Sequence, residues 1–400
     1  MTHAVPRSEA GPTLPEAGPT LPEAPPTLVA VNGKWLGQTR TGTQRYAEEL
    51  TRRLVGDPRL DVLLCLPRGV PVPTWVPAAV DVRRSRLTGI AFEQLALPVL
   101  ARGRLVLSLA GPAPLLLRRQ VATFHDATPF RFPHTYTRAF GRWHRTIYRV
   151  VARRARAVVT VSDFSAGELA DVLGLPATRF VVIPDGADHM DDLVGVAPSC
   201  AGSPGGFALC VGTLAAHKNL AGVLRELAAA AIPTIVVGAR GPGRVFAGGT
   251  PTPVSHDGVT YAADLTDAEL AWLYRHAIAL VFPSRYEGFG LPVIEAQTLD
   301  CPVIVARAAS LPEVAGPGAI SVDPDRPEDV PAILDRLRND TDFRAEVVAA
   351  GRVNAARFSW AESADRLITV LQTAAGPAGP VGSVGTVGSS HPSGSGESAD

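Results

Sequence analysis

The chain has 400 residues, which is more than one ordinary hydrophobic core holds, so the length predicts two domains. Apolar residues make up 46% of the chain, enough for two cores, and 38 basic residues balance 38 acidic ones. This balance gives no electrostatic reason to expect nucleic acid as a partner.

The N-terminal residues lack the charged and apolar regions of a signal peptide, and no apolar run is long enough to span a bilayer. The cysteines Cys65, Cys200, Cys210 and Cys301 fit neither a zinc site nor a disulfide framework. We therefore expect a soluble, cytoplasmic protein whose cysteines are small buried hydrophobic residues.

Both ends of the chain have compositions typical of disorder. Residues 1–26 contain a Pro-rich repeat, and residues 375–400 are rich in Gly and Ser. Between them, short β-branched runs alternate with longer helical patterns, which is typical of parallel βα units. A polar stretch at 188–204 separates two such series. This organisation predicts a first domain at 27–187, a linker at 188–204, a second domain at 205–358 and a final helix at 359–374.

In chain order, the first series contains predicted strands at Thr27–Asn32, Val62–Leu66, Leu105–Leu109, Val121–His125, Ala157–Ser162 and Val181–Pro184. The second contains Ala208–Thr213, Thr234–Gly238, Val259–Ala262, Ala279–Pro283, Pro302–Ala306 and Ala319–Val322. Predicted helices include Thr43–Val55, Asn219–Ala230, Asp267–His276 and Trp360–Thr373. Two doubly wound α/β domains place functional groups at the carboxyl ends of strands, facing a crevice.

The segment Phe282-Pro-Ser-Arg-Tyr-Glu-Gly-Phe-Gly-Leu-Pro-Val-Ile-Glu295 is the most informative motif. A buried strand ends, a glycine turn follows, and a helix opens with a proline in its first turn. The free amides of Phe289, Gly290 and Leu291 are then predicted to point into the crevice as a phosphate site. Glu287 and Glu295 flank this site and can accept hydrogen bonds from sugar hydroxyls. A capped strand–helix junction with a solvated glutamate is the structural alternative.

This string resembles the nucleotide-binding signature of the family four (group 1) retaining glycosyltransferases, which have the GT-B fold. The resemblance extends over nearly all of residues 27–373. It implies two Rossmann-like domains facing each other across a cleft, with the acceptor on the first and the nucleotide-sugar donor on the second. It also implies that no metal and no cofactor are needed, and that the final helix crosses back to the first domain.

Two motifs of the first domain share the resemblance. Gly42, in Thr41-Gly42-Thr43-Gln44-Arg45-Tyr46, looks like the family's glycine loop just ahead of the first helix, near the donor diphosphate. His125 ends a predicted strand and resembles the family histidine that contacts the donor sugar. An ordinary helix start and a satisfied core histidine are the alternatives. Ser162 is predicted to cap the next helix or to take part in the site.

The loop from Val211 to Leu220 resembles the family loop that holds the donor phosphates, with Lys218 supplying the charge. This sequence departs from the family at Thr213 and His217, where arginine is common. We expect both residues to contact the donor. We also expect His217 to be protonated in the donor complex, since a diphosphate favours its charged form.

Three further features of the sequence each allow two interpretations. Asp323-Pro-Asp325 has the spacing of a metal-binding Asp-x-Asp motif, but its place after the last strand favours a turn. The glycine-rich stretch at 238–249 is either plain surface or a loop that contacts the acceptor. A stripe of arginines (Arg138, Arg142, Arg145, Arg149 and Arg153) flanks an apolar stripe, typical of an amphipathic helix on the sheet or of docking to an anionic membrane.

The sequence thus predicts a retaining, metal-independent hexosyltransferase that uses a nucleotide-sugar donor and a glycan or lipid-linked acceptor. His125, Glu287 and Lys218 are the predicted catalytic residues, and Glu295 is predicted to bind the ribose. The motifs look most like mannosyltransferases of polysaccharide assembly, which favours GDP-mannose over UDP- and dTDP-sugars. A nucleotide-sugar 2-epimerase and a non-catalytic sugar-nucleotide-binding protein remain as alternatives. A Rossmann dehydrogenase is disfavoured because no Gly-x-Gly-x-x-Gly follows the first strand.

Overall fold

A computed structural model of the protein describes residues 25–135, 137–238 and 257–376. The tails predicted to be disordered fall almost wholly outside these ranges, as does most of the glycine-rich stretch at 238–249. In the described ranges, two parallel sheets follow each other along the chain.

The first sheet has seven strands in the order β3-β2-β1-β4-β5-β6-β7, all parallel. Its strands are β1 Thr27–Asn32, β2 Leu60–Leu66, β3 Asp81–Arg84, β4 Leu105–Ser108, β5 Gln120–Thr123, β6 Ala157–Thr160 and β7 Phe180–Val182. The second has six parallel strands in the order β10-β9-β8-β11-β12-β13. Its strands are β8 Ala208–Val211, β9 Thr234–Val237, β10 Val259–Ala262, β11 Leu280–Phe282, β12 Val303–Ala306 and β13 Ile320–Val322.

Helices connect the strands and cover the sheets, as parallel pairing requires. The helices of the first half are α1 Gly42–Leu54, α2 Gly89–Ala91, α3 Leu97–Leu100, α4 Thr128–Arg131, α5 Arg138–Arg154 and α6 Asp163–Leu173. Those of the second half are α7 Leu220–Ala229, α8 Asp267–His276, α9 Leu291–Thr298, α10 Leu311–Ala315, α11 Val330–Asn339, α12 Thr341–Ala355 and α13 Trp360–Ala375.

The two sheets confirm the predicted α/β class with two doubly wound halves. The order of strands reverses between β1 and β4 in the first sheet and between β8 and β11 in the second. A crevice opens at such a reversal, because the helices on either side leave in opposite directions. The strand ends that carry the predicted motifs therefore flank a crevice in each half.

Every predicted strand exists, although several end earlier than predicted. The strand predicted to reach His125 ends at Thr123, so this histidine belongs to the following loop. One strand escaped prediction: β3 lies at the sheet edge, with two exposed arginines in place of an apolar run. Cys65, Cys210 and Cys301 are buried and free, as predicted, whereas Cys200 is free but only partly buried.

The final helix, α13, packs on the first half of the chain. Its residues Trp360, Leu367 and Leu371 are buried in the same cluster as Val29 and Tyr46. The chain thus passes between the halves twice, once after β7 and once before α13. In the described ranges, no helix combines the length and apolar character needed to cross a bilayer.

Candidate functional site

The reversal of strand order in the second sheet brings two predicted loops together. The loop after β8 carries Lys218 and the loop after β11 carries Glu287. The Lys218 Nζ lies 2.6 Å from a Glu287 carboxylate oxygen, and both side chains are partly exposed. The chain separates these residues by 69 positions, so only the parallel pairing of β8 with β11 makes them neighbours.

The loop after β11 presents three amides at the start of α9. Gly290 has φ of 105°, a conformation that L side chains rarely adopt, and it caps the helix. The N–H groups of Phe289, Gly290 and Leu291 donate to no group in the described part of the chain. The Ser310 hydroxyl holds the loop at the carbonyl of Phe289, 2.8 Å away. Free amides at the positive end of a helix dipole can bind an anion.

Gly288 is close to the other half of the molecule rather than to open space. A Cβ atom at Gly288 would overlap the carbonyl oxygen of His125. Its own carbonyl accepts hydrogen bonds from the hydroxyls of Ser162 and Ser165. We predicted that glycine here lets a ligand approach the main chain; in the structure, the close neighbour is the peptide that follows β5.

His125 is a neutral side chain with a fixed tautomer. Its Nε2 lies 2.9 Å from the carbonyl oxygen of Leu109, so Nε2 carries the proton and Nδ1 is the hydrogen-bond acceptor. Burial is the largest effect on its pKa and lowers it, against the opposing effects of the hydrogen bond to Leu109 and of the charge of Asp126. The ring packs edge-on against Tyr46, with 5.0 Å between centroids.

Further contacts join the halves around Gly288. The Ser162 side chain caps α6 by accepting from Ser165 N–H, as predicted, while its hydroxyl donates across to Gly288. Glu313 accepts from the amides of Asp163 and Phe164, at 2.8 and 3.0 Å. The first turn of α6 is thus held by a carboxylate of the second half.

Glu295 lies deeper than the sequence indicates. Only 5% of the residue is exposed, and both carboxylate oxygens have partners. Oε1 is 3.1 Å from His189 Nε2, and Oε2 is 3.0 Å from the hydroxyl of Tyr274. Its predicted contact with a ribose stays a prediction, and it must use the lone pairs that these two bonds leave.

The loop after β8 contains the two residues at which the sequence departs from the family that it resembles. Thr213 and His217 are both partly buried. Burial, followed by the charge of Lys218, lowers the pKa of His217 below its usual 6.5. The His217 Nδ1 is buried without a hydrogen-bond partner among the described residues. The site therefore keeps this imidazole neutral, and its predicted protonation requires a bound anion.

We predicted Gly42 just ahead of α1, whereas the structure places it inside this helix. It is the first residue of the helix, and Thr41 and Gln44 form a capping box around it. Gly42 is exposed, and a Cβ atom there would meet nothing within 4 Å. Packing in the structure does not require glycine at this position, and its predicted contact with the donor stays a prediction.

Asp323 and Asp325 lie in a turn that their side chains stabilise. The Asp323 carboxylate accepts from Asp325 N–H at 2.9 Å, and Asp325 pairs with Arg285 at 2.6 Å. Within the described ranges, no group of three or more His, Cys, Asp or Glu side chains could hold a metal ion. The Gly241–Gly243 part of the glycine-rich stretch lies outside these ranges.

The helix α5 is amphipathic and carries a row of basic side chains. Its buried face, with Ile147 and Val151, packs in the core of the first half. Among the described residues, none of its six arginines forms an ion pair; they are Arg138, Arg142, Arg145, Arg149, Arg153 and Arg154. A cavity of 540 Å³ opens at the first turns of this helix, lined by Arg138, Arg142 and Arg145.

Several residues near the site were not found by sequence reasoning. His189 lies in the predicted linker, Tyr274 in an ordinary helix, and Trp360 opens the last helix, 171 residues from its hydrogen-bond partner His189. No local pattern marks such pairs. On the first half, Glu93 is wholly buried in a π-helical turn and pairs with Lys34 at 2.6 Å. A π-helical turn has no sequence signature here, although such turns are frequent at functional sites.

Two facing Rossmann-like halves, with a lysine and free helix-start amides at a reversal of strand order, are the architecture of a GT-B glycosyltransferase. Models of two families match the chain: Glycosyltransferase Family 4 over residues 40–190 and Glycosyl transferases group 1 over residues 203–354. The chain belongs to the family four, group 1 glycosyltransferases.

Among curated proteins, the chain is similar to O-antigen chain mannosyltransferase B of Escherichia coli. The two are 31% identical over 261 residues, which cover 62% of this chain and 68% of the relative. It is 29% identical to O-antigen chain mannosyltransferase RfbU of Salmonella typhimurium strain LT2 over 52% of this chain and 58% of that one. The second match therefore spans little more than half of that protein.

Solved structures share the fold at low sequence identity. Sucrose-phosphate synthase from Thermosynechococcus elongatus superposes with a TM-score of 0.65 and 19% identity, over 86% of this chain and 98% of that one. The Anabaena protein HepE, in complex with UDP and glucose, gives a TM-score of 0.62 and 15% identity, over 87% of this chain and 99% of that one. These matches establish the GT-B fold.

Proposed function

We propose that this glycosyltransferase moves a hexose, mannose, from GDP-mannose to a glycan or lipid-linked acceptor, with retention at the anomeric carbon and without a metal ion. The observation that carries the proposal is the set of free amides at Phe289–Leu291 beside the Lys218–Glu287 pair. The mannosyltransferase names of the curated relatives support mannose. Retention and independence of a metal rest on the family resemblance.

In this proposal, the leaving diphosphate is bound by Lys218 and the three amides, with Gly42, Thr213 and His217 nearby. Charge on the diphosphate grows as the bond to the sugar breaks. Fixed donors aimed at that charge lower the barrier, because they need no reorganisation during the reaction. Lys218 has three N–H donors, so it can bind phosphate while it keeps its bond to Glu287.

Glu287 and His125 face the transferred sugar in this arrangement. Glu287 keeps one carboxylate oxygen beyond its bond to Lys218 and can accept from a sugar hydroxyl. His125 donates to Leu109 through Nε2, so its Nδ1 can accept from another hydroxyl. Neither residue is proposed as a nucleophile; the leaving phosphate assists deprotonation of the acceptor hydroxyl on the same face of the sugar.

A panel of GDP, UDP, dTDP and ADP tests the donor assignment by thermal shift and calorimetry. We expect GDP to bind best, and Glu295→Ala to weaken donor use about ten- to a hundredfold, because a hydrogen bond to a charged group contributes about 1.5–3 kcal/mol. Transfer of mannose from GDP-mannose, followed by NMR of the product anomer in the presence of EDTA, tests the reaction. Binding without transfer would instead support a sugar-nucleotide sensor.

We also propose that α5 makes a peripheral contact with an anionic membrane, where a lipid-linked acceptor would lie. The supporting observation is its row of arginines, which have no acidic partners in the part of the chain that the structure describes, beside partly buried Trp143. Co-sedimentation with vesicles that contain phosphatidylglycerol should exceed that with neutral vesicles. Arg138→Gln/Arg142→Gln should remove most of this difference.

The matched control is Arg225→Gln/Arg336→Gln, which removes the same charge from exposed positions of the second half. It should leave co-sedimentation unchanged. Equal binding of the wild type to anionic and neutral vesicles would contradict the proposal.

A further inference from the structure

His189 is held at both ring nitrogens. Its Nδ1 lies 3.0 Å from Trp360 Nε1, and its Nε2 lies 3.1 Å from Glu295 Oε1. An indole N–H can only donate, so Nδ1 must be the hydrogen-bond acceptor and the ring is neutral. The remaining proton is therefore on Nε2 and points at the Glu295 carboxylate. Trp360 thus selects the tautomer that lets His189 donate to Glu295.

The Glu295 carboxylate is fixed from a second side by Tyr274. The phenol is fully buried and donates to Oε2 at 3.0 Å. Burial, and then the charge of Glu295, raise the pKa of Tyr274 well above its usual value, so the phenol keeps its proton. Because the two donors engage different oxygens, the plane of the carboxylate is set.

Both passages of the chain between its halves meet at this carboxylate. His189 lies in the segment that follows β7, and Trp360 is the first residue of α13. Asp188 accepts from Trp360 N–H at 2.7 Å, and a Cβ atom at Gly186 would overlap the same nitrogen. Trp360 is fully buried. The His189 imidazole is therefore held by residues of these two connecting segments, and not by α9, the helix that carries Glu295.

We propose that His189 and Trp360 are positioning residues that orient the Glu295 carboxylate toward the ribose hydroxyls of the donor. This inference rests on the proposed function, in which Glu295 binds the ribose. A carboxylate has about four lone-pair sites. His189 and Tyr274 use one on each oxygen, which leaves one on each for the vicinal hydroxyls.

The test compares ribose recognition, not affinity alone. Calorimetry measures binding of GDP and of 2′,3′-dideoxy-GDP, or of the corresponding pair if the wild type binds the ribonucleotide UDP or ADP instead. The ratio of the two dissociation constants is the ribose preference. We expect about tenfold or more in the wild type, since two hydrogen bonds to a carboxylate are lost with the dideoxy nucleotide.

His189→Ala should lower the ribose preference at least about threefold while binding of the dideoxy nucleotide changes little. His189→Gln should restore at least half of it, because a Gln amide can donate from the position of Nε2. Trp360→Phe keeps an aromatic ring but no donor, and it should give a value between these variants. His276→Ala is the control: this histidine bonds to the Trp272 carbonyl instead, and the preference should not change.

The outcomes separate the two levels of the hypothesis. If Glu295→Ala keeps the full ribose preference, the proposed ribose contact is wrong. If Glu295→Ala loses the preference but His189→Ala keeps it, the contact stands and the positioning role is overturned. Equal weakening of both nucleotides in His189→Ala would indicate a structural role only. Failure of the wild type to bind any of the nucleotides would overturn the proposed function itself, and this inference with it.

Discussion

At the scale of single residues, His217 stands where the family commonly has arginine. The permanent positive charge is therefore replaced by an imidazole whose charge depends on its protonation. The structure lowers its pKa, mainly by burial and then by Lys218. A bound diphosphate places negative charge beside the ring and raises the pKa again. The proton that the imidazole takes up then becomes part of donor binding.

The first prediction concerns the pH dependence of donor affinity. Because the pKa is low in the free protein and higher in the complex, affinity should fall as pH rises between the two values and become constant above the higher one. His217→Arg should lack this decrease. We expect the ratio of the wild-type to the Arg dissociation constant for GDP to rise at least about threefold between pH 5.5 and 8.

The ratio is the informative quantity, because the nucleotide's own phosphate titrates over the same range in both proteins. Calorimetry in buffers of different ionisation enthalpy gives the proton uptake directly. Identical pH profiles for the two proteins would contradict the predicted protonation of His217.

At the scale of elements, the loop after β11 contains two glycines, Gly288 and Gly290, that are needed for different reasons. Gly290 needs its positive φ to start α9 with free amides. Gly288 needs the absence of a side chain because the main chain after β5 lies against it. One short loop therefore both forms the candidate phosphate site and closes the cleft.

The second prediction is that Gly288→Ala disturbs the contact between the two halves but leaves nucleotide binding nearly unchanged. The added methyl group cannot coexist with the His125 carbonyl, so the halves must move apart. A displacement of about 1 Å can cost about a hundredfold in rate. We expect kcat to fall ten- to a hundredfold by this reasoning, while GDP, bound mainly by the second half, keeps its affinity within about threefold.

Gly167→Ala is the matched control for that variant. Gly167 lies in α6, and a Cβ atom there would meet nothing within 4 Å. In a helix interior, the change should stabilise the protein by about 0.5–1 kcal/mol and leave kcat unaltered. If Gly288→Ala keeps wild-type kcat, the contact with His125 has no part in turnover.

At the scale of the whole molecule, ion pairs at a second place, distinct from the Gly288 contact, also join the two halves. Asp267, at the start of α8, pairs with Arg40 at 2.9 Å and also with Arg45. Arg45 is nearly buried, and its other acidic neighbour is Glu49, at 3.5 Å. The pairing between Asp267 and Arg45 therefore depends on how the halves are arranged.

The third prediction is that Asp267→Asn loosens this arrangement. Removing one partner of this partly buried pair costs about 1–3 kcal/mol, because Arg45 stays desolvated with only Glu49 as an acidic neighbour. We expect kcat/KM to fall about three- to tenfold and the radius of gyration from small-angle scattering to increase. Asp342→Asn, which also changes an acid in the first turn of a helix, should alter neither. An unchanged radius in both variants would show that this pair does not hold the halves.

The sequence alone determined the class of fold and the local form of each motif. β-branched runs and helix-start signals depend on neighbours a few residues away, so β1, β10 and α8 agree residue for residue with prediction. The edge strand β3 was missed because exposed strands need no apolar pattern.

Only the tertiary structure decided what each motif touches. The pairing of Lys218 with Glu287, the contact of Gly288 with His125 and the hydrogen bond of His189 to Glu295 join residues 69 to 163 positions apart. Such contacts depend on strand order and on the two passages between the halves. A sequence pattern records which groups can bind a phosphate or a hydroxyl, whereas the packing of two sheets determines which of those groups are already engaged.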